Sequence, residues 1–167
     1  MRDRLVRWRW WLGGAAVIAV GALVAVIVWP SPAPAPYRPA ARARVYNTVT
    51  ICLLTGPLGV AGTDAAPVWA GVTKAADAAN GQSQFLSATT TPETVGSVTP
   101  FANSLVQQQC ALVVAVGPVE VAAVESIAPT DAKTRFLVVG KGTASANVKV
   151  VTDTSTNSVA AAVQADL

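Results

Sequence analysis

Short apolar runs alternate with longer amphipathic segments along residues 46–167. The short runs are rich in valine, isoleucine and leucine, and Gly or Gly-Pro closes several of them, which predicts buried strands. The longer segments place apolar side chains on one face at helical spacing. We therefore expect strands at 48–56, 83–88, 110–116, 134–139 and 147–152, and helices at 63–80, 93–109, 119–127 and 155–165.

Two of the helical segments carry residues that indicate where a helix begins. In 63–80, Asp64 is a candidate N-terminal cap, because its carboxylate can accept a hydrogen bond from a free backbone amide. In 93–109, Pro100 lies inside the segment, and proline is tolerated best in the first turn of a helix. The sequence therefore predicts that the well-formed part of this helix begins at Pro100, with Thr99 as its cap.

Strands and helices alternate, which predicts an α/β fold. Strands that are apolar throughout are typical of a parallel sheet covered by helices on both faces. Right-handed crossovers then make a single doubly wound sheet of five strands. We expect the flavodoxin-like strand order 2-1-3-4-5, with strand one at the centre.

The N-terminal 45 residues have a different composition from the rest. Segment 1–11 is basic, and segment 12–29 is apolar. The stretch from Trp11 to Trp29 therefore has a tryptophan at each end. These 19 residues span roughly 28 Å as a helix, about one hydrocarbon thickness. They predict an uncleaved signal-anchor helix preceding the sheet, with a cleaved signal peptide as the alternative. Segment 30–45 reads as a Pro/Ala linker.

The positive charge is concentrated in this N-terminal region. Residues 1–44 hold seven arginines and one acid, whereas residues 45–167 hold five cations and eight acids. Positive charge before the apolar segment predicts a cytoplasmic N-terminus and places the domain 46–167 outside the cell membrane, in a single-pass arrangement. A mildly acidic domain argues against nucleic acid as a partner.

The residue types present exclude several kinds of chemistry. The chain has no histidine, and two cysteines cannot make a zinc site by themselves. No nucleophile elbow or phosphate loop is present, so we expect no enzyme activity, metal or cofactor. Asp64, Glu120 and Asp153 are interpreted as caps and solvated positions rather than as a carboxylate cluster.

Cys52 falls in strand one and Cys110 opens strand three. These strands are neighbours in the expected order, and an exported domain lies in an oxidising compartment, so we predict a structural disulfide between them. The alternative is a pair of buried free thiols.

The loops that follow the strands should meet at one edge of the sheet, where doubly wound folds bind their ligands. The candidate ligand-binding residues in these loops are Thr55, Gly56, Thr63, Asp64, Thr89, Gly117, Gly140 and Asp153. Glycines would let backbone approach a solute. The alternative is that these residue types simply form turns and caps.

Several stretches in this order resemble a known family. I-C-L-L-T-G, V-W-A-G-V, N-S-L-V-Q-Q-Q-C-A-L-V-V-A-V-G and K-T-R-F-L-V-V are similar to the N-terminal lobe of the basic membrane protein family. Its members are type 1 periplasmic-binding-like substrate-binding proteins of ABC transporters. The resemblance covers roughly residues 49–151 and one lobe only. The family's first loop carries Phe and Asn after its second Asp, whereas here neither follows Asp64.

The resemblance implies a membrane-anchored, extracytoplasmic solute-binding-like module. A nucleoside or sugar would be the solute class, and a transporter permease or a second copy of the chain would be the protein partner. The alternative is a structural or protein-interaction module that keeps the fold without binding a ligand.

Overall fold

The computed structural model describes residues 48–167. Predicted segments 1–11, 12–29 and 30–45 lie outside the described residues. Within residues 48–167, no helix is long and apolar enough to cross a membrane.

Strands and helices alternate through the described part of the chain as the hydrophobic pattern predicts. The strands are β1 (Thr50–Thr55), β2 (Gln82–Ser87), β3 (Leu112–Val116), β4 (Arg135–Val139) and β5 (Val148–Val151). The helices are α1 (Ala65–Ala78), α2 (Val95–Gln107), α3 (Pro118–Ile127) and α4 (Thr156–Ala165).

The five strands form one parallel sheet in the order β2-β1-β3-β4-β5. This confirms the predicted 2-1-3-4-5 order. Strand β1 lies inside the sheet, between β2 and β3, and the middle strand of the five is β3 rather than β1. In the register, Leu53 of β1 pairs with Phe85 of β2 on one side and with Val114 of β3 on the other. The carboxyl ends of β1 and β3 therefore lie side by side, with their connections leaving in opposite directions.

The core has two layers, one on each face of the sheet. Ile51 and Leu53 of β1 pack with the apolar sides of α1 and α4. Cys52 and Leu54 point the other way and pack with α2 and α3. All four side chains are fully buried, because alternate residues of a strand project to opposite faces and both faces are covered.

Helices α1 and α4 approach each other closely at Gly71. A Cβ atom at this position would lie 2.8 Å from the carbonyl oxygen of Thr156 and 2.9 Å from Cβ of Val159. The contact therefore requires glycine, although glycine lowers helix propensity by about 1 kcal/mol.

The predicted start of α2 is wrong. The helix begins at Val95, and Thr94 is its cap: the Thr94 hydroxyl accepts from the Ser97 amide, and the Ser97 hydroxyl accepts from the Thr94 amide. Pro100 lies inside the helix. This reciprocal capping box and the complete burial of Val98 stabilise a turn that precedes the proline.

Asp64 occupies the N-terminal cap position of α1, but its side chain makes no capping hydrogen bond. The Ala66 amide instead donates to the Gly62 carbonyl at 2.9 Å. The Asp64 side chain is exposed and does not serve the capping role that the sequence predicted.

The predicted disulfide between Cys52 and Cys110 is present, with the two Cα atoms 5.9 Å apart. Both residues are buried, and the Gln84 side-chain amide donates to Cys52 Sγ at 3.1 Å and to Cys110 Sγ at 3.6 Å. The bond links the segment that follows α2 to strand β1.

Candidate functional site

Two adjoining cavities open at the carboxyl edge of the sheet. The first, of about 210 Å³, lies between the loop after β1 and the start of α3, and we call it the switch-point cavity; it is lined by residues from 56–65 and 116–120 together with Glu93. The second, of about 230 Å³, lies between the loops after β3 and β4, and we call it the β3–β4 cavity. Asp64 and Gly117 line both cavities, so the two adjoin at this point.

The floor of the switch-point cavity carries a buried carboxylate, Glu120. It lies in the first turn of α3, and the residue is 1% exposed. Gly117 has φ of 111°, and a Cβ there would lie 2.2 Å from Glu120 Oε2. Only glycine leaves room for the Glu120 side chain to fold back over the β3–α3 turn.

Glu120 Oε1 has no hydrogen-bond partner among the described residues. Burial away from water raises the pKa of Glu120, and a hydrogen bond from the Glu120 backbone amide opposes this effect. The charge of Glu93 and a hydrogen bond between the two carboxyl groups raise the pKa further. A buried, unpaired carboxyl oxygen is unfavourable in a folded protein, so this group needs an explanation beyond packing.

Glu93 and Glu120 place their carboxyl groups on the same side of the Gly56 backbone. A Cβ atom at Gly56 would lie 3.3 Å from Glu120 Oε1 and 3.6 Å from Glu93 Oε1. The two carboxyl groups therefore lie close to the same position at the carboxyl end of β1. Glycine at position 56 keeps that point open.

The structure brings several predicted residues to the cavities. Gly56, Thr63, Asp64 and Gly117 line the switch-point cavity, and Gly140 lines the β3–β4 cavity beside Asp64 and Gly117.

Three predicted residues are placed elsewhere. Thr55 is fully buried at the end of β1, with its hydroxyl 3.4 Å from that of Ser87. Thr89 is exposed and lines neither cavity. Asp153 accepts hydrogen bonds from the Ser155 amide and hydroxyl, and these bonds lower the pKa of its carboxyl group. The Asp153 carboxylate therefore stabilises the turn before α4.

Sequence reasoning missed Glu93 and interpreted Glu120 as solvated, which is wrong. The available signal was the position of Glu120 in G-P-V-E, directly after the most buried strand and in the first turn of a helix. No local signal marks Glu93, because it reaches the cavity from the loop before α2.

No protein-family model matches the sequence, and a search of curated proteins gives no significant match. Among solved structures, the fold is similar to a fragment from Peptoclostridium difficile 630 described as a candidate lipoprotein, with a TM-score of 0.62 and 12% identity over 71% of this chain and 98% of that one. It is also similar to an ABC transporter solute-binding protein from Aeropyrum pernix K1, with a TM-score of 0.51 and 17% identity over 61% of this chain. This chain spans 28% of that protein's length.

At these identities the similarity concerns the fold. The described domain shares its fold with these two proteins. No family match confirms the basic membrane protein family itself.

Proposed function

We propose that the domain binds a small solute in the switch-point cavity, as a module resembling one lobe of a transporter substrate-binding protein. The observation that carries the proposal is the buried Glu120 carboxyl group: the residue lines this cavity, and its Oε1 has no hydrogen-bond partner among residues 48–167. A binding site is one of the few settings in which such a group is favourable, because a ligand can supply the missing interaction. The solute-binding fold of the structural neighbours supports the same role.

The cellular setting belongs to this proposal. The apolar segment 12–29 would anchor the chain in the cell membrane with its N-terminus in the cytoplasm, and linker 30–45 would hold the domain outside. A transporter permease or a second copy of the chain would then be the protein partner. We propose binding rather than catalysis, and membership of the basic membrane protein family, whose N-terminal lobe the domain resembles.

A second candidate function is a protein-interaction module that keeps the fold without binding a solute. Leu58, at the mouth of the switch-point cavity, is 78% exposed, and Phe85 on the edge strand β2 is 46% exposed. Large apolar side chains at such positions favour contact with another protein.

Isothermal titration calorimetry on the full chain in detergent tests the solute-binding proposal. The titrants are nucleosides, sugars and small amines, with the Gly117→Val variant as a control that displaces the Glu120 side chain. We expect saturable heat with one of these classes for the wild-type chain and none for the variant. If no class binds, the solute-binding function is refuted and the interaction module is favoured.

A further inference from the structure

We propose that the switch-point cavity recognises a positively charged nitrogen, the ammonium or guanidinium group of a small solute, and that Glu120 is the residue that binds it. This inference rests on the proposed solute-binding function and adds the chemical class of the ligand. The juxtaposition that supports it is a fully buried carboxyl group whose Oε1 has no hydrogen-bond partner among residues 48–167, in a residue that lines the cavity, with a second carboxyl group beside it at Gly56.

The charges that line the cavity are all negative. Asp64, Glu93 and Glu120 contribute carboxyl groups, and no lysine or arginine is among the lining residues. Lys141 lines the neighbouring β3–β4 cavity instead. A cation entering between these groups would gain attraction from each of them, and the interaction would be strengthened by the low polarity around Glu120.

The remaining cations of the described domain are placed where they do not neutralise the cavity. Lys74 donates to the Asn157 side chain, and Lys149 pairs with Asp166. Lys133 and Arg135 stand at the amino end of β4, on the opposite edge of the sheet. Within residues 48–167, Lys141 is therefore the cation placed nearest to this cavity, on the β3–β4 side of Asp64, and no lysine or arginine lines the cavity beside Glu93 and Glu120.

Two other ligand chemistries fit this cavity less well. A helix N-terminus such as that of α3 ordinarily attracts anions, but here Pro118 removes one amide donor and the Glu120 carboxyl group already occupies the first turn. A metal ion needs several ligands, and residues 48–167 contain no group of three or more acidic, cysteine or histidine side chains arranged to hold one. A cavity of about 210 Å³ suits a small organic amine.

Calorimetric titration of the full chain in detergent with putrescine and agmatine, and with uncharged 1,4-butanediol, adenosine and glucose, tests the inference. We expect the two amines to bind and butanediol, which has the shape of putrescine without its charge, to give no heat. We expect Glu120→Gln to weaken amine binding at least tenfold. Glu125→Gln is the matched control, because it makes the same change on the same helix outside the cavity lining. We expect this variant to bind the amines as tightly as the wild type does.

Amine binding should also release a proton when Glu120 is partly protonated, because a bound cation favours its charged form. The heat should then differ between phosphate and Tris buffers, and the difference should vanish in Glu120→Gln. The groups that face Glu120 from the surrounding segments are Glu93 and Asp64. A merely structural role for Glu120 would not produce this buffer dependence.

Gly56→Ala provides a second variant if Glu120→Gln does not fold. It places a methyl group 3.3 Å from Glu120 Oε1 without changing a charge, and it should weaken amine binding as well. If adenosine or glucose binds and the amines do not, the charge class is wrong while the proposed function stands. If amines bind equally well to all variants, the assignment to Glu120 is wrong. If no titrant binds, both proposals are refuted.

Discussion

Reduction of the Cys52–Cys110 disulfide should destabilise the domain strongly. The two cysteines are 58 residues apart in sequence. The loop-closure entropy that the bond removes from an unfolded chain of this loop length corresponds to about 4 kcal/mol at 25 °C. For a domain of this size, each 1 kcal/mol shifts the melting temperature by about 3–5 °C, so reduction should lower it by roughly 15 °C.

Thermal unfolding of the full chain in detergent, followed by circular dichroism with and without reductant, measures this effect. Reduction breaks only the bond between the two sulfur atoms and removes no atom from the core, where both cysteines are buried beside the Gln84 amide. The double variant Cys52→Ala/Cys110→Ala serves as the control and should melt at the same temperature with and without reductant. A reduced wild-type chain that melts within about 3 °C of the oxidised chain would contradict the loop-entropy argument.

Three further expectations concern single side chains. Gly71→Ala should destabilise by about 1–2 kcal/mol because its methyl group meets the backbone of α4, whereas Gly96→Ala, with open space around the new Cβ, should stabilise by about 0.5 kcal/mol in urea unfolding. Thr94→Ala should destabilise by about 1 kcal/mol through loss of the cap, and Thr99→Ala by clearly less; equal losses would contradict the capping box. The stability contribution of Glu120 should be complete below the ordinary glutamate pKa of 4.5 and should be lost as pH rises through its raised pKa, because the native state keeps the proton longer. Urea unfolding at several pH values should show this slope in the wild type and not in Glu120→Gln.

The sequence was sufficient for the arrangement of the sheet. Strands that are apolar on both sides and that alternate with amphipathic helices can bury both faces only in a parallel, two-sided fold. The flavodoxin-like order was the expected arrangement for such a fold, and it placed Cys52 and Cys110 on neighbouring strands. The disulfide could therefore be predicted, with free thiols as the alternative until the geometry was known.

The start of α2 could not be predicted as well, because two local effects compete there. Pro100 is unfavourable inside a helix, and the rule that places proline in the first turn therefore favoured Thr99 as the cap. The box formed by Thr94 and Ser97, together with the burial of Val98, outweighs that preference. The burial of Val98 depends on its contacts with the sheet, which the local sequence does not contain.

The sequence by itself determined the fold class and the edge at which the loops meet, because both depend on the periodic pattern of apolar residues, and it led us to expect the strand order that the structure shows. The tertiary structure decided which side chains meet at that edge. Glu120 is buried because Gly117 lets it fold back, and Glu93 reaches the same point from a separate loop. The convergence of two carboxyl groups at Gly56 results from the packing of three distant segments, and no pattern within any one of them encodes it.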